Sequence, residues 1–493
     1  MAGRLLVSPP QACAADPFQT LPLDALLDEL ELAHQQLAGV GSQPTGTSAG
    51  AQPPDPSPDQ PESDRPPGTE SHDRRPARAH DTSGPVLRGG PGIGFEPGRA
   101  GSLPLASASG LSGTPLPGLA LALMQRHWSE AERERIRCAA DALRRRLAGD
   151  TVTFVINRNL NSSNICQLRC GFCAFRRDDG DAGAYRLSLD QLCERAAEAH
   201  RLGATELCLQ AALDPQARLR GSHLAWAEQL LQHLSAAAPG VHLHAFSPQE
   251  LLFFAQADGL SLDAVLLRLR RAGLGSVPGT AAEVLSERIR RVICPEKLSA
   301  RAWVTVMLQV QRHGLTATST LMAGHIEQAA DQVAHLLTLV ALQRHAWQHH
   351  CRGFSEFVLL PFIGASAPAP LRQRVGRDQP DTEAMLLLTA QARLLLGPWF
   401  VHHQPSWVKL TLPQAVEALR WGCDDIGGTL MEEHITTMAG ASGGTCQSPH
   451  DLQRAVRSIG RPVRQRTTLY GVPPVEDAFH PAAAASPATG LPS

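Results

Sequence analysis

Lysine is almost missing from this chain of 493 residues: Lys297 and Lys409 are the only two among 45 basic residues. That bias reads as the codon usage of a GC-rich genome rather than as a sign of function. No excess of either charge exists, the formal net charge being -2, so neither nucleic acid nor an anionic membrane is indicated as the main partner. No apolar run reaches membrane-spanning length, which predicts a soluble protein. The 11 cysteines are odd in number and no signal-peptide pattern precedes them. This argues against a disulfide framework and for a reducing intracellular compartment, cytoplasm or organelle stroma, rather than secretion. No Walker loop and no H-E-x-x-H is present, so nucleotide-triphosphatase and zinc-hydrolase readings lack support.

Composition divides the chain. Residues 1–118 are a low-complexity region dense in Pro, Gly, Ser and Ala, expected to be mostly disordered because it cannot bury enough apolar surface to offset its ordering entropy. Within it, Leu21-Pro-Leu-Asp-Ala-Leu-Leu-Asp-Glu-Leu-Glu-Leu has helical apolar spacing and predicts one amphipathic helix. Residues 119–150 are expected to form a lead-in helix opened by the capping box Ser129-Glu-Ala-Glu132. Residues 151–474 alternate strand and helix patterns, and residues 475–493 return to an Ala/Pro/Gly-rich, disordered-looking tail.

Strands are expected at Thr151–Ile156, Glu206–Gln210, Val241–Phe246, Gly273–Pro278, Leu315–Met322, Glu356–Pro361, Trp399–His403 and Asp424–Gly427. Helices are expected at Ser188–Leu202, Leu224–Leu234 and Ala329–Leu342, one after the Ser247 cap with Pro248 at its first position, and one opened by Thr280-Ala-Ala-Glu283. About eight such βα units predict an α/β fold, a parallel (βα) barrel of TIM type, whose functional residues gather at the carboxyl ends of the strands. Polar and Gly-rich residues do fall there: a cysteine loop after the first strand, then Gln210, Ser247, Pro278-Gly279-Thr280 and Gly324-His325.

The cysteine loop carries the chemistry. Cys166, Cys170 and Cys173 stand in C-x3-C-x2-C spacing with Phe172 before the last of them. A loop that short can turn three sulfurs to one iron–sulfur cube and leave its fourth iron open to bind a small molecule. A structural zinc site would want a fourth ligand, usually from a second C-x2-C pair, and none follows. This spacing resembles the radical S-adenosylmethionine (SAM) superfamily. The resemblance implies a 4Fe-4S cluster whose unique iron is chelated by SAM, and reductive cleavage of SAM to a 5'-deoxyadenosyl radical.

Further blocks narrow the resemblance: Val155-Ile-Asn157-Arg-Asn159 ahead of Asn164-Ile-Cys166, Cys173-Ala-Phe175, His244-Ala-Phe-Ser-Pro248, Pro278-Gly-Thr-Ala-Ala-Glu283, Gly324-His325, Ser406-Trp-Val-Lys409, Asp425-Ile-Gly-Gly-Thr-Leu-Met-Glu-Glu433 and Arg466-Thr-Thr-Leu-Tyr470. They resemble FO synthase, in the half that couples tyrosine to a ribitylaminouracil on the way to the deazaflavin of coenzyme F420. That family implies a transferase. The radical abstracts hydrogen from the amine side of L-tyrosine, the Cα–Cβ bond breaks, and the 4-hydroxybenzyl fragment adds to 5-amino-6-(D-ribitylamino)uracil. It also implies a separate radical SAM enzyme that closes the deazaflavin ring, since only one C-x3-C-x2-C is present, and a reductase, ferredoxin or flavodoxin as electron donor. The alternatives are an aminofutalosine-type radical SAM enzyme of menaquinone biosynthesis and a catalytically degenerate barrel subunit.

On that resemblance Cys166, Cys170 and Cys173 are the cluster ligands. Phe172, Gln210, Ala211, Ala212, Ser247, Pro278, Gly279, Thr280 and Glu283 are the SAM candidates, and Asn157, Asn159, His244, Gly324 and His325 the substrate candidates. Three departures from the family stand out. Ala211-Ala212 stand where it has a Gly pair, so a positive φ there would be strained, and Asp214 stands where a His follows that pair; Ala323 stands where it has Tyr, which would open space; Asp424 replaces an Asn. Thr280 with Glu283 reads equally as a helix cap. His242 and His244 alternate along one strand and are read as facing opposite sides, hence no chelate. His402-His403 and His349-His350 are read as surface or capping residues, and Cys208 and Cys294 as buried small hydrophobes.

Overall fold

Strands buried on both faces need no polar alternation, which is why the apolar runs of the sequence become the staves of a barrel. The computed structural model describes residues 1, 5–8, 22–38 and 117–473. Most of the low-complexity region and the tail from 475 lie outside the described residues. The helix expected near the amino terminus is present as α1 (Leu23–Ala38). The lead-in is two helices rather than one, α2 (Pro117–Gln125) and α3 (Glu130–Ala148), and the Ser129–Glu132 capping box opens the second.

The barrel follows. Its strands are β1 (Val152–Val155), β2 (Asn157–Leu160), β3 (Glu206–Leu209), β4 (His242–Ala245), β5 (Ser276–Val277), β6 (Thr316–Ala323), β7 (Phe354–Pro361), β8 (His402–Pro405), β9 (Asp425–Gly428) and β10 (Val463–Gln465). The main helices between them are α4 (Leu189–Arg201), α5 (His223–Ala237), α6 (Pro248–Ala257), α7 (Leu262–Arg271), α8 (Glu287–Ile293), α9 (Ala300–Arg312), α10 (Ala329–Gln348), α11 (Ala369–Val375), α12 (Thr382–Leu396), α13 (Trp407–Leu410), α14 (Leu412–Ala418) and α15 (Pro449–Arg457). β2 to β8 make one seven-stranded parallel sheet in chain order, and β10-β1-β9 a second, also parallel. Ile156 alone separates β1 from β2, so one run of chain pairs with β9 low down and β3 higher up. The Asp424 amide donates to the His403 carbonyl at 3.2 Å, tying β9 to the start of β8. The sheet thus curls into the expected barrel, with β9 in the place of an eighth stave.

Three expectations are corrected. The helix read from Thr280 begins only at Glu287, because Ala281 (φ +63) and Glu283 (φ +47) are left-handed and cannot start a helix. α7 and α9 were not singled out from their periodicity, although each has a serine cap, Ser261 and Ser299. His242 and His244 share a face, as residues two apart on a strand must: both rings reach the Ser276 hydroxyl at 2.7 Å.

The amino-terminal end of the barrel is closed from inside by the segment after β10. Arg466 pairs with Asp425 and Glu356, the Tyr470 hydroxyl donates to Glu356, and the Tyr470 ring stacks on His402 with centroids 3.5 Å apart. His403 is fully buried and Asp424 holds His402 (2.7 Å) and Arg393 (2.7 Å), so neither that histidine pair nor the substituted aspartate belongs to the open surface or to the mouth.

Candidate active site

The loop after β2 is held on several sides by its own backbone. Cys166 N–H donates to Arg177 O (3.1 Å), Gln167 N–H to Leu213 O (3.1 Å), Gly171 N–H to Ile293 O (2.8 Å) and Cys173 N–H to Cys170 O (3.2 Å). Cys166, Cys170 and Cys173 are free and half-buried, and the Leu213 amide points at Cys166 Sγ at 3.4 Å. Burial pushes the Cys170 thiol up to about 12, Lys297 opposing, and raises Cys166 as well. The Lys297 ammonium lies 5.2 Å from the Phe172 ring centroid and 2.6 Å from Glu283 Oε1, so a cation and an aromatic edge flank the loop. Among the described residues no three His, Cys, Asp or Glu converge as on a single metal ion. A cube spreads its ligands over separate irons, so a loop of three spaced, unbridged thiols beside a cation suits a cluster rather than one ion.

The loop after β3 resolves the alanine question. Neither Ala211 nor Ala212 has a positive φ, so a methyl group there carries no conformational cost. Asp214 forms a buried pair with Arg186 (2.6 Å), accepts from Ser163 (2.9 Å) and Gln216 N–H (2.9 Å), and so locks this loop to the cysteine loop. Burial opposes its charge, but Arg186 and these donors outweigh it and hold the carboxyl below its usual range. Gln210 reaches Cys208 Sγ at 3.6 Å. Cys208 is therefore in the barrel interior beside a polar group, only half-buried, whereas Cys294 is fully buried as expected.

After β4 the Ser247 capping box forms, and this uses the hydroxyl: Ser247 Oγ donates to Glu250 Oε2 at 2.7 Å. The residue that sequence reading missed is Glu250. Its Oε1 accepts from the Ala211 amide at 3.3 Å, and burial drives its carboxyl up to about 7. The Ser-Pro-x-Glu capping pattern located it but assigned it to helix structure alone.

After β5, Gly279 allows a backbone approach that no side chain would: a Cβ would stand 2.1 Å from Thr318 O. Its amide donates to Thr318 Oγ1 at 2.8 Å. The end of β5 thus closes directly on the β6 backbone, with Pro278 before the glycine and the half-buried Thr280 after it. Glu283, by contrast, is tied to Lys297, so its contact with SAM would be shared with that pair.

The substrate candidates separate. Asn157 is consumed within the protein, donating to Glu206 (2.8 Å) and accepting from Leu430 N–H (2.9 Å). His325 is consumed as well, contacting Met322 O (3.1 Å) and accepting from Ile326 N–H (2.7 Å), while Gly324 (φ +92) turns the chain. Ala323 is fully buried in the apolar core, so the missing tyrosine ring opens no room at the surface of the mouth. Asn159, however, has a buried Oδ1 without a partner. The paired row Asn159–Cys208–His244–Ser276 crosses the barrel interior with that amide at its end. Burial lowers His244 to about 4, so the ring is neutral near pH 7.

The model of the Radical SAM superfamily matches residues 160–340. The chain is 52% identical over 359 residues to the 5-amino-6-(D-ribitylamino)uracil–L-tyrosine 4-hydroxyphenyl transferase of Cyanothece sp., covering 73% of this chain and 93% of the relative. To the same-named protein of Synechocystis sp. it is 54% identical, covering 68% of this chain and 86% of the relative. This chain belongs to that family of radical SAM transferases. Among solved structures it is similar to methylornithine synthase (TM-score 0.54, 16% identity, 70% of this chain and 92% of that one). It is also similar to the FeFe-hydrogenase maturase HydG of Carboxydothermus hydrogenoformans (TM-score 0.54, 14% identity, 72% of this chain and 77% of that one). At those identities the likeness is one of fold. Among the described residues of this transferase-family chain, no helix is long and apolar enough to cross a membrane.

Proposed function

We propose that this chain joins the 4-hydroxybenzyl group of L-tyrosine to 5-amino-6-(D-ribitylamino)uracil, the coupling step of deazaflavin biosynthesis. The observation that carries the reading is the family's cysteine loop, intact and opening on a polar barrel mouth, in a chain more than half identical to transferases of that name. Cys166, Cys170 and Cys173 would hold three irons of a 4Fe-4S cluster. When bound, the cluster and SAM supply a 5'-deoxyadenosyl radical to start the reaction. The protein's own groups do the rest. Glu250 fixes the Ala211 amide and with it the Gln210–Ala212 loop, Gly279 lets the end of β5 close on β6, and Lys297 balances charge beside Cys170. Asn159, Gln210 and neutral His244 offer the uracil and its polyol hydrogen bonds inside the barrel, where unpaired amides would otherwise be costly.

The degenerate-barrel alternative loses its motive, since Ala211 and Ala212 are unstrained. A separate ring-closing radical SAM enzyme and a low-potential donor of ferredoxin or flavodoxin type complete the scheme. The test is anaerobic: reconstitute the cluster, add dithionite, SAM, L-tyrosine and the ribitylaminouracil, and follow products by mass spectrometry. A hydroxybenzyl adduct of the uracil, missing in Cys170→Ala, is the expected result. 5'-Deoxyadenosine without the adduct moves the substrate elsewhere, and neither product with an intact cluster returns the subunit reading.

A further inference from the structure

The two lysines of this chain, far apart in sequence, both stand at the mouth of the barrel. Lys297 is spent on Glu283 beside the cysteine loop. Lys409 is not. It sits on α13, at the carboxyl end of β8, half-buried, and its ammonium makes no hydrogen bond or ion pair with any described residue. Two carboxylates lie within its electrostatic reach, Glu433 after β9 and Glu283 after β5. Each is already engaged: Glu433 accepts from the amides of Thr436 (2.9 and 3.1 Å) and Thr437 (3.3 Å), and Glu283 Oε1 takes Lys297 at 2.6 Å. Glu283 follows β5 and Lys409 follows β8, so the ammonium is within range of groups from well-separated staves.

The position is built rather than incidental. The Trp407 indole donates to Gly428 O at 2.9 Å, and Gly443 packs so closely on α13 that a Cβ there would stand 2.2 Å from Trp407 O. A partly buried ammonium with three unused donors, fixed on a clamped turn, is short of one thing only: an anionic acceptor.

We infer that Lys409 binds the carboxylate of an α-amino acid in the barrel mouth, and specifically that of the L-tyrosine substrate. Both SAM and tyrosine carry such a group. Lys297 is the cation near the cysteine loop, where SAM would have its methionyl end, and Lys409 is left for the second amino acid. The inference rests on the proposed coupling reaction. It makes Lys409 a substrate-binding residue that separates tyrosine from amines lacking the carboxylate.

The experiment is equilibrium binding under anaerobic conditions to the cluster-loaded full chain, with L-tyrosine, tyramine and SAM each titrated into wild type, K409M and K409R. Wild type is expected to prefer tyrosine to tyramine by about tenfold or more, the worth of a charge-assisted hydrogen bond. K409M should bind the two alike, K409R should restore most of the preference, and SAM affinity and the thermal midpoint should stay as in wild type. An undiminished preference in K409M overturns the inference and leaves the coupling reaction standing. A fall in SAM affinity with the tyrosine preference kept overturns it too, and gives Lys409 to the cofactor. Wild type that binds and turns over no tyrosine removes the coupling reaction itself, and the inference with it.

Discussion

The two ends of this barrel are both rich in charge, and they use it in opposite ways. At the floor, Arg466, Asp425, Glu356, Tyr470, Asp424 and Arg393 are buried or nearly so, and each charge meets a partner. At the mouth, Lys409 has no partner, Asn159 Oδ1 is orphaned and the cysteines are half-buried. Backbone strain divides the same way. Phe246, Ala281, Glu283, Thr411, Leu430 and Met431 have positive φ in the segments following β4, β5, β8 and β9, whereas at the floor only His350, ahead of β7, and Tyr470 do among the described non-glycine residues. Orphaned buried polar atoms occur at both ends, Asn159 Oδ1 toward the mouth and His403 Nε2, Gln465 Nε2 and Thr468 Oγ1 at the floor, so it is backbone strain, which persists only where surrounding structure enforces it, and the ion pairs that separate the two. The floor is knit by buried ion pairs that hold the barrel shut; the mouth presents an unpaired ammonium and strained turns that a cofactor and substrates would engage.

The largest effects come from setting one end against the other. Cys170→Ala should abolish adduct formation and the cluster's visible absorbance, while the unfolding midpoint of the cluster-free protein moves by less than about 1 kcal/mol, since a half-buried thiol contributes little packing. Arg466→Met should do the reverse. It leaves Asp425 and Glu356 buried without their cation, which costs about 3–5 kcal/mol in urea unfolding, and turnover per folded molecule should survive. A floor variant that folds normally yet loses turnover would break the division.

How much of this was legible follows from how far apart the interacting residues lie. The strands and the Ser129, Ser188 and Ser247 caps are local patterns, and they were read within a residue or two at most boundaries. The cysteine loop is local as well, three ligands in eight positions. What is not legible is long-range. Asn157 and His325 read as substrate candidates, and the partners that engage them inside the protein, Glu206, Leu430 and Met322, are set by the fold rather than by the motif. Thr280–Glu283 imitates a capping box, but its glutamate is drawn off by Lys297. Lys409 has no periodicity to announce it; the scarcity of lysine, put down to codon usage, and its place in the Ser406-Trp-Val-Lys409 block are the available signs.

A subtler contrast is in pH. Glu250 has its folded carboxyl raised by burial to about 7, from an ordinary 4.5. Between those values the folded state holds a proton that the unfolded state has released, so stability falls as pH rises from about 4.5 to 7 and is level above. At about 1.4 kcal/mol per unit the loss is of the order of 3 kcal/mol. Glu250→Gln should therefore gain on wild type across that window, by urea midpoints at pH 5 and pH 8. A difference that does not change with pH would mean the carboxyl is ionised throughout, and that the Ala211 amide and the cap outweigh its burial.

The smallest expected effect tests the strain itself. Thr411 joins α13 to α14 at φ +73 and ψ 156, a conformation that is nearly reserved for glycine. The turn is held there because α13 is clamped from one side by Trp407 and from the other by Gly443. Thr411→Gly should stabilise the folded chain by about 1 kcal/mol, the strain relieved less the entropy that glycine adds to the unfolded chain. Thr468→Gly, at the floor of the barrel where the residue's own φ is not positive, should cost a similar amount. If both substitutions destabilise alike, the mouth stores no strain and its unusual backbone is simply the relaxed shape of that loop. If they diverge in sign, stability has been given up at the end of the barrel that presents Lys409, and kept at the end that has nothing to bind.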